Sequence, residues 1–443
     1  MPKYLIVGNS AGGIAAVEAI RQVDPKGSIA IVSDEPYPAY SRPAIAEFLM
    51  GERPFDERML FRDADFYSRN RVETHLGVKV LRLDVGGRKA VLDNGEALPW
   101  ERLLLATGGT PIMPPMQGLA LEGVHTFVTL DDARRLRQAL LNGAKRVVVV
   151  GGGLIGCSLT HSLLQYGGVQ VTLVELRERI LTTMMDTPTS QRVEARLRKL
   201  GVQLLTGRSV VRVLPDAPGA RVGGVLLDNG EELPCDLVGM AVGVRPRTEL
   251  AHGTPVRVQR GFLVDRHMET SAPGVYACGD AAESHDFIYG ASRVVAIWPN
   301  AYIGGRIAGF NMAGDAAQYD GCTAMNAFSY FDLALASGGM FDPEAQEECT
   351  TLSKESGEVY RKVVLKHNRL VGFVLLGDIE QSGVLYRLMQ EQVDVSQFQE
   401  HLVADNFGLV KLPRPLRQAW IREDGRVPQK ATAPAGRAHK AVE

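Results

Sequence analysis

Two clusters of glycine, each entered from an apolar run and each followed by a carboxylate, are the parts of this sequence best suited to chemistry. The first is Gly8, Ser10, Ala11 and Gly13 behind Tyr4-Leu-Ile-Val7, with Glu35 soon after the run Ser28-Ile-Ala-Ile-Val32. The second is Gly151, Gly153, Leu154, Ile155 and Gly156 behind Arg146-Val-Val-Val-Val150, with Glu175 directly after Gln170-Val-Thr-Leu-Val174. A strand that enters a glycine-rich turn and leaves as a helix makes an anion site. The first glycine permits the turn, the second admits a pyrophosphate to the backbone, and the third lets helix and strand pack closely. The helix N-terminus adds unpaired N–H groups and the favourable end of its dipole. An acid roughly 20 to 25 residues onward accepts the ribose hydroxyl hydrogens. The second cluster fits this pattern fully; in the first, Ser10 stands at the middle glycine. A carboxylate at Glu175 repels a 2′-phosphate, which predicts NAD rather than NADP there. Arg177 and Arg179 are read as solvated charges.

The elements that must position these residues come as two copies of one plan. Leu92-Asp-Asn-Gly-Glu96 followed by Leu98-Pro99 matches Leu227-Asp-Asn-Gly-Glu231 followed by Leu233-Pro234, and both carry the Asn-Gly signal of a tight hairpin. Each precedes an apolar strand closing on glycine, over 103–108 and 237–243. The offsets agree: 151 − 8 = 143 for the first glycines, 230 − 95 = 135 for the hairpins and 243 − 108 = 135 for the closing glycines. Strand–turn–helix, hairpin and strand in the same order predict a duplicated domain. A third segment, 261–280, ends in a strand Val275-Tyr-Ala277 and Gly279-Asp280. Beyond about residue 318 the character changes. Val359–Leu365 and Leu370–Leu376, flanking His367-Asn368, read as strands, and a helical stretch follows near 383–392.

Length and composition bound the rest. At about 150 residues per domain, 443 residues predict roughly three domains. The 49 Lys and Arg against 51 Asp and Glu leave a net charge of −2, which argues against nucleic-acid binding through a broad basic surface. Cys157, Cys235, Cys278, Cys322 and Cys349 form no CxxC pair, so neither a disulfide scaffold nor a cysteine-built metal site is expected. No segment has the run of apolar residues that a membrane span needs. A protein without a membrane span, in a reducing cytoplasm, is the expectation.

The order of the first glycine cluster, Ala106-Thr-Gly108, the second cluster, Gly243-Val-Arg-Pro246 and Thr270-Ser-Ala-Pro-Gly-Val-Tyr-Ala-Cys-Gly-Asp280 resembles a known family. It is that of the FAD- and NAD(P)-binding pyridine nucleotide-disulfide oxidoreductases, which includes glutathione reductase. Pro36-Tyr-Pro-Ala-Tyr-Ser-Arg-Pro43 and Trp298-Pro-Asn-Ala301 are most similar to its NADH-linked ferredoxin, rubredoxin and nitrite reductase-type branch. The resemblance covers about residues 1–420. It implies an α/β fold with two Rossmann-like dinucleotide-binding domains and a C-terminal α+β domain. The implied divisions are FAD binding over 1–112 and 246–317, NAD binding over 113–245, an interface domain over 318–420 and a flexible tail over 421–443.

For FAD, the resemblance implies that Gly8, Ser10, Ala11 and Gly13 hold the pyrophosphate and Glu35 the adenosine ribose. Arg42 would face the phosphates or adenine, and the Val80 backbone the adenine edge. Thr107 and Gly108 would close over the cofactor, and Asp280 would take the ribityl chain. Trp298 is either a flavin neighbour or a core residue, and a helix starting near Ala301 would aim its positive end at the flavin. For NAD(H), Gly151, Gly153, Leu154, Ile155, Gly156, Glu175 and Gly243 form the implied site.

The sequence also departs from the family. Residues 30–60 hold no cysteine, so thiol–disulfide chemistry and cysteine-based peroxide reduction are not expected. Related ferredoxin reductases often carry a Lys–Glu pair whose positions are Glu47 and Ser158 here. The expected activity is therefore an FAD-dependent NADH:acceptor oxidoreductase in which flavin carries the chemistry and no side chain acts as acid, nucleophile or metal ligand. The expected partner is an iron–sulfur or rubredoxin-like protein, with the chain acting alone, as a homodimer or as the flavin subunit of a larger complex. An NADH oxidase or diaphorase using oxygen or quinone, and a nucleotide-responsive flavoprotein with a docking role, are the alternatives.

Overall fold

The computed structural model describes residues 2–422, apart from 218 and 344–347. Tyr4–Val7 is apolar and buried at all four positions, which requires cover on both faces, as in a parallel sheet. It sits at the middle of five strands in the order Val275–Ala277, Arg102–Leu105, Tyr4–Val7, Ile29–Ser33, Val72–Leu76, all parallel. Val7 pairs with both Val32 and Leu105, and Leu105 with Ala277. That register brings Gly8, Ser33, Ala106 and Cys278 out of the sheet at one edge. Ligand sites in open α/β sheets form at this edge, the carboxyl ends of the strands.

The second sheet repeats the first. Its order is Gln203–Thr206, Gln170–Glu175, Arg146–Val150, Leu237–Met240, Val124–Thr126, again all parallel. Each sheet has a three-stranded antiparallel companion, Val80–Asp84, Lys89–Leu92 and Ala97–Pro99 beside Val210–Pro215, Val222–Leu227 and Glu232–Pro234. Gly95 and Gly230 adopt the same positive φ of 86° in their turns. The copies differ in their fifth strand. In the first sheet it arrives about 170 residues after its neighbour; in the second it comes from just before the glycine turn.

After the late strand come two short strands, Ala282–Asp286 and Ala291–Arg293, and then the helix Trp298–Ala313, which begins three residues before the expected Ala301. It lies directly on the helix Ala11–Val23: a Cβ on Gly305 would stand 2.2 Å from the Gly12 carbonyl oxygen, and one on Gly309 2.6 Å from that of Ala16. Beyond it, five antiparallel strands run in the order Met325–Tyr330, Leu333–Gly339, Arg369–Leu376, Val359–Lys366, Thr350–Ser356, with the helix Ser382–Gln390 on one face. His367 and Asn368, both at positive φ, make the hairpin turn. Val359–Lys366 is buried from Tyr360 through Leu365 because its other face packs on the second dinucleotide fold. Of the tail expected over 421–443, residues 423–443 lie outside the described residues.

Candidate dinucleotide sites and their junction

Both glycine turns are built on the same clash. Gly8 has φ of 119° and its Cβ would lie 2.1 Å from the Ala106 carbonyl oxygen; Gly151 has φ of 105°, with the Ala241 oxygen at 2.5 Å. No side chain fits either position, because the turn crosses over the neighbouring strand end. The third glycines lie beneath the turns rather than in the clefts. Cβ atoms on Gly13 and Gly156 would stand 2.1 and 1.8 Å from the Gly8 and Gly151 oxygens, so these residues set helix approach. The middle position differs. Gly153 has open space around it and an ordinary φ of −77°, and Ser10 has φ of −130°. A hydroxymethyl group is tolerated there, which accounts for Ser10 in the first copy.

One cleft is lined by Gly8, Ser10, Ala11, Glu35, Arg42, Thr107, Gly108, Asp280 and Trp298. It continues past Gly8, Asp34 and Thr107 into a cavity against Val80. Asp280 is half-buried in the turn Gly279–Ala281, where burial raises its carboxyl above the usual range and Arg42 opposes the rise. Arg42 pairs with Glu35, whose other oxygen accepts from the Tyr40 hydroxyl at 2.5 Å. Burial disfavours the Arg42 charge, but Tyr40 and Glu35 more than offset it. Glu35 is thus engaged by side chains of its own fold. Trp298 is half-buried at the first turn of its helix, edge-to-face with Phe61 at 5.0 Å between ring centroids. Trp298 and Ala301 of that first turn line the cleft wall; Pro299 between them has no N–H, and the Ala301 N–H donates to the Ile297 oxygen at 3.2 Å.

A second cavity is lined by Gly151, Gly153, Leu154, Ile155, Glu175, Arg177 and Gly243. Glu175 accepts from the Gly152 N–H at 2.5 Å and from the Arg177 N–H at 2.8 Å, bracing the glycine turn. Arg179 turns away, donating to the Met185 carbonyl and to Ser190 Oγ. The first cleft and this cavity meet at Ile155, Val244, Ala296 and Ile297, which line both. Four apolar side chains therefore wall the place where two dinucleotides entering from opposite ends would touch.

Several lining residues had no signal of their own in the sequence. Arg247 donates to Asp34 Oδ2 at 2.8 Å, its backbone N–H reaches the Gly108 oxygen, and its carbonyl accepts from Thr107. It follows Gly243-Val-Arg-Pro246 by one residue, but only the fold sets it beside Thr107. Segments 181–184 and 293–297 join the second cavity in the same way. At the positions of the family's ion pair, Glu47 binds Arg53 at 2.9 Å and Ser158 hydrogen-bonds Tyr330. Cys157 and Cys278 are wholly buried, and burial pushes both thiols up to about 12. Among the described residues no group of acids, histidines and cysteines is set to hold a metal, and no helix is long and apolar enough to cross a membrane.

Comparison with known proteins agrees with this geometry. The pyridine nucleotide-disulphide oxidoreductase family model matches residues 2–305, and the rubredoxin NAD+ reductase C-terminal domain model matches 325–393. The epsilon subunit of the NADH-dependent phenylglyoxylate dehydrogenase of Aromatoleum evansii is 33% identical over 406 residues, 91% of this chain and 95% of that one. An NAD(P)H nitrite reductase of Bacillus subtilis is 28% identical over 397 residues, 89% of this chain, which spans 48% of that protein's length. The crystal structure of a ferredoxin reductase from Rhodopseudomonas palustris superposes with a TM-score of 0.81 at 27% identity, over 92% of this chain and 99% of that one.

Proposed function

Given that the chain belongs to the pyridine nucleotide-disulphide oxidoreductase family and is an NADH-dependent oxidoreductase with FAD and NAD(H) as cofactors, we propose that it passes electrons between NAD(H) and an iron–sulfur or rubredoxin-like protein, as the flavin subunit of a larger complex. The first cleft fits FAD: a glycine turn that no Cβ can enter, an elongated path from Val80 to Trp298, and the half-buried Arg42 and Asp280 along it. Gly8, Ser10 and Ala11 with the N-terminus of Ala11–Val23 would hold the pyrophosphate. Thr107 and Gly108 would close over it, and Asp280 would accept from the ribityl hydroxyls. Glu35, already bonded to Arg42 and Tyr40, retains lone pairs for the adenosine ribose. In the second cavity Gly151, Gly153, Leu154 and Ile155 would bind the NAD(H) pyrophosphate, Glu175 its ribose and Gly243 the approach to the nicotinamide.

When bound, FAD supplies the redox chemistry, accepting a hydride and releasing electrons singly. The protein's part is placement. Ile155, Val244, Ala296 and Ile297 would give the bound rings an apolar wall at the junction, and the positive end of Trp298–Ala313 would favour negative charge on the bound flavin. That junction is the observation that carries the reading. The wholly buried Cys157 and Cys278 thiols offer no relay, so electrons leave to an acceptor docked near the ring. The similarity to an epsilon subunit over nearly the whole of both chains supports the complex, and buried free thiols support a reducing cytoplasm.

The test is anaerobic turnover with NADH against ferredoxin, rubredoxin and any copurifying iron–sulfur subunit, with quinone and then oxygen as rivals. The expected result is fastest transfer to a protein acceptor. Faster reduction of quinone or oxygen than of every protein acceptor would replace this reading with an oxidase or diaphorase.

A further inference from the structure

We propose that the C-terminal sheet positions the wall of the NAD(H) cavity, and that Tyr360, Lys362, Asp186 and Arg179 are positioning residues for nucleotide binding. The inference rests on the reading of that cavity as the NAD(H) site. The wall is the segment Leu181–Met184, which lines the cavity and belongs to no helix or strand. Leu181 holds a φ of 55°, a left-handed conformation uncommon for a bulky residue, so something must impose it. Its N–H donates to the carbonyl oxygen of Gly152, inside the phosphate turn, at 2.8 Å. Ile180 packs so closely there that a Cβ on Gly152 would stand 2.6 Å from its Cγ2. Any shift of this segment moves the turn that would carry the pyrophosphate.

Both ends of the segment are tied to the C-terminal sheet. At the far end, Asp186 is 2% exposed and caps the helix Thr187–Lys199 through the Thr189 N–H. Its second oxygen accepts from the Tyr360 hydroxyl at 2.8 Å and faces Lys362 Nζ at 3.4 Å. At the near end, Arg179 donates to the Met185 carbonyl at 2.6 Å and reaches Asp342 at 3.4 Å, and Asp342 lies 3.7 Å from Lys362. Tyr360 and Lys362 alternate with Arg361, which points to the opposite face of the sheet and binds Asp378 and Asp405. One strand thus presents its hydroxyl and ammonium to the nucleotide fold and its guanidinium to its own domain. Buried charge pairs of this kind carry specific geometry more than net stability, because desolvation offsets much of their attraction.

The experiment compares full-length holoenzyme variants in NADH-to-ferricyanide turnover, with flavin absorbance monitoring FAD content. Tyr360→Phe and Lys362→Met should each raise KM for NADH roughly three- to thirtyfold, the range for perturbing a coupled network. FAD content and kcat should stay within about twofold, since neither residue lines the FAD cleft, and Lys362→Arg should recover most of the loss. Should Lys362→Met fold poorly, Tyr360→Phe, which removes one oxygen atom, decides alone. KM unchanged in Tyr360→Phe, or a raised KM accompanied by loss of kcat and FAD content in it, overturns the proposal. Glu175→Ala runs alongside. If it raises KM while the clamp variants do not, the clamp alone is wrong; if it too leaves KM unmoved, the cavity assignment falls and the proposal with it.

Discussion

The two dinucleotide folds share a turn but treat it differently. In the first, the acid after the second strand is locked to Arg42 and Tyr40 of its own fold, and Asp280 arrives in the cleft from about 270 residues away. In the second, Glu175 holds the backbone of its own glycine turn, and a coil segment forms one wall. The first cleft is assembled from fixed side chains drawn from distant parts of the chain, as suits a group that stays bound. The second also draws on distant segments, 293–297 among them, but one of its walls, 181–184, lies outside any helix or strand, as would suit a nucleotide that enters and leaves with each turnover. On the proposed assignment, one supersecondary unit, given different neighbours, serves retention in one place and exchange in the other.

The largest test of that contrast exchanges the first glycines. Gly8→Val should yield protein without bound flavin, because both its φ and the Ala106 carbonyl forbid the side chain. Gly151→Val should stay yellow and be reduced by dithionite, yet lose about a hundredfold or more in kcat/KM for NADH, from a strain of about 3 kcal/mol at the turn. Flavin spectra after gel filtration read the difference; colourless Gly151→Val protein would erase it.

The acids come next. Removing the Glu175 carboxylate should cost about 1.5–3 kcal/mol, or roughly ten- to a hundredfold in NADH affinity, and narrow the preference over NADPH. Glu35→Ala should weaken FAD retention while leaving KM for NADH within about twofold, read by FAD release on dilution. Equal effects of both variants on NADH binding would show that the two acids are not divided between two ligands.

The smallest effect belongs to the cysteines. Burial raises the Cys157 and Cys278 thiols to about 12, so both stay protonated and unreactive at pH 8. Iodoacetamide at pH 8 should leave both unmodified in native protein and alkylate both in urea, as read by mass spectrometry. Replacing all five cysteines by serine or alanine should leave NADH-to-dye transfer largely intact, provided the variant keeps its FAD. Loss of flavin reduction with FAD retained would give a thiol a role.

Much of the site is legible in the sequence because its signals are local. Gly8, Gly151, Glu175 and the Asn-Gly hairpins report a backbone turn or a strand end within a few residues, where sterics alone select the residue type. The start of the helix at Trp298 rather than Ala301 is not legible, since Pro299 suits the first turn and leaves the neighbouring boundary open. Nor is the fate of the missing family ion pair, which depends on Arg53 folding back from the turn after the helix that holds Glu47 and on Tyr330 reaching Ser158 from the C-terminal sheet.

By itself the sequence determined the duplicated strand–turn–helix plan, the two glycine turns and the lack of a cysteine over residues 30–60, all consequences of short-range pattern. Only the tertiary structure decided that Val275–Ala277 completes the first sheet and that Arg247 bridges Asp34 and Thr107. The same holds for the meeting of the two cavities at Ile155, Val244, Ala296 and Ile297, and for the hold of Tyr360 and Lys362 on Asp186. These contacts join residues tens to hundreds of positions apart. Their geometry follows from how sheets and helices pack, which no local spacing encodes.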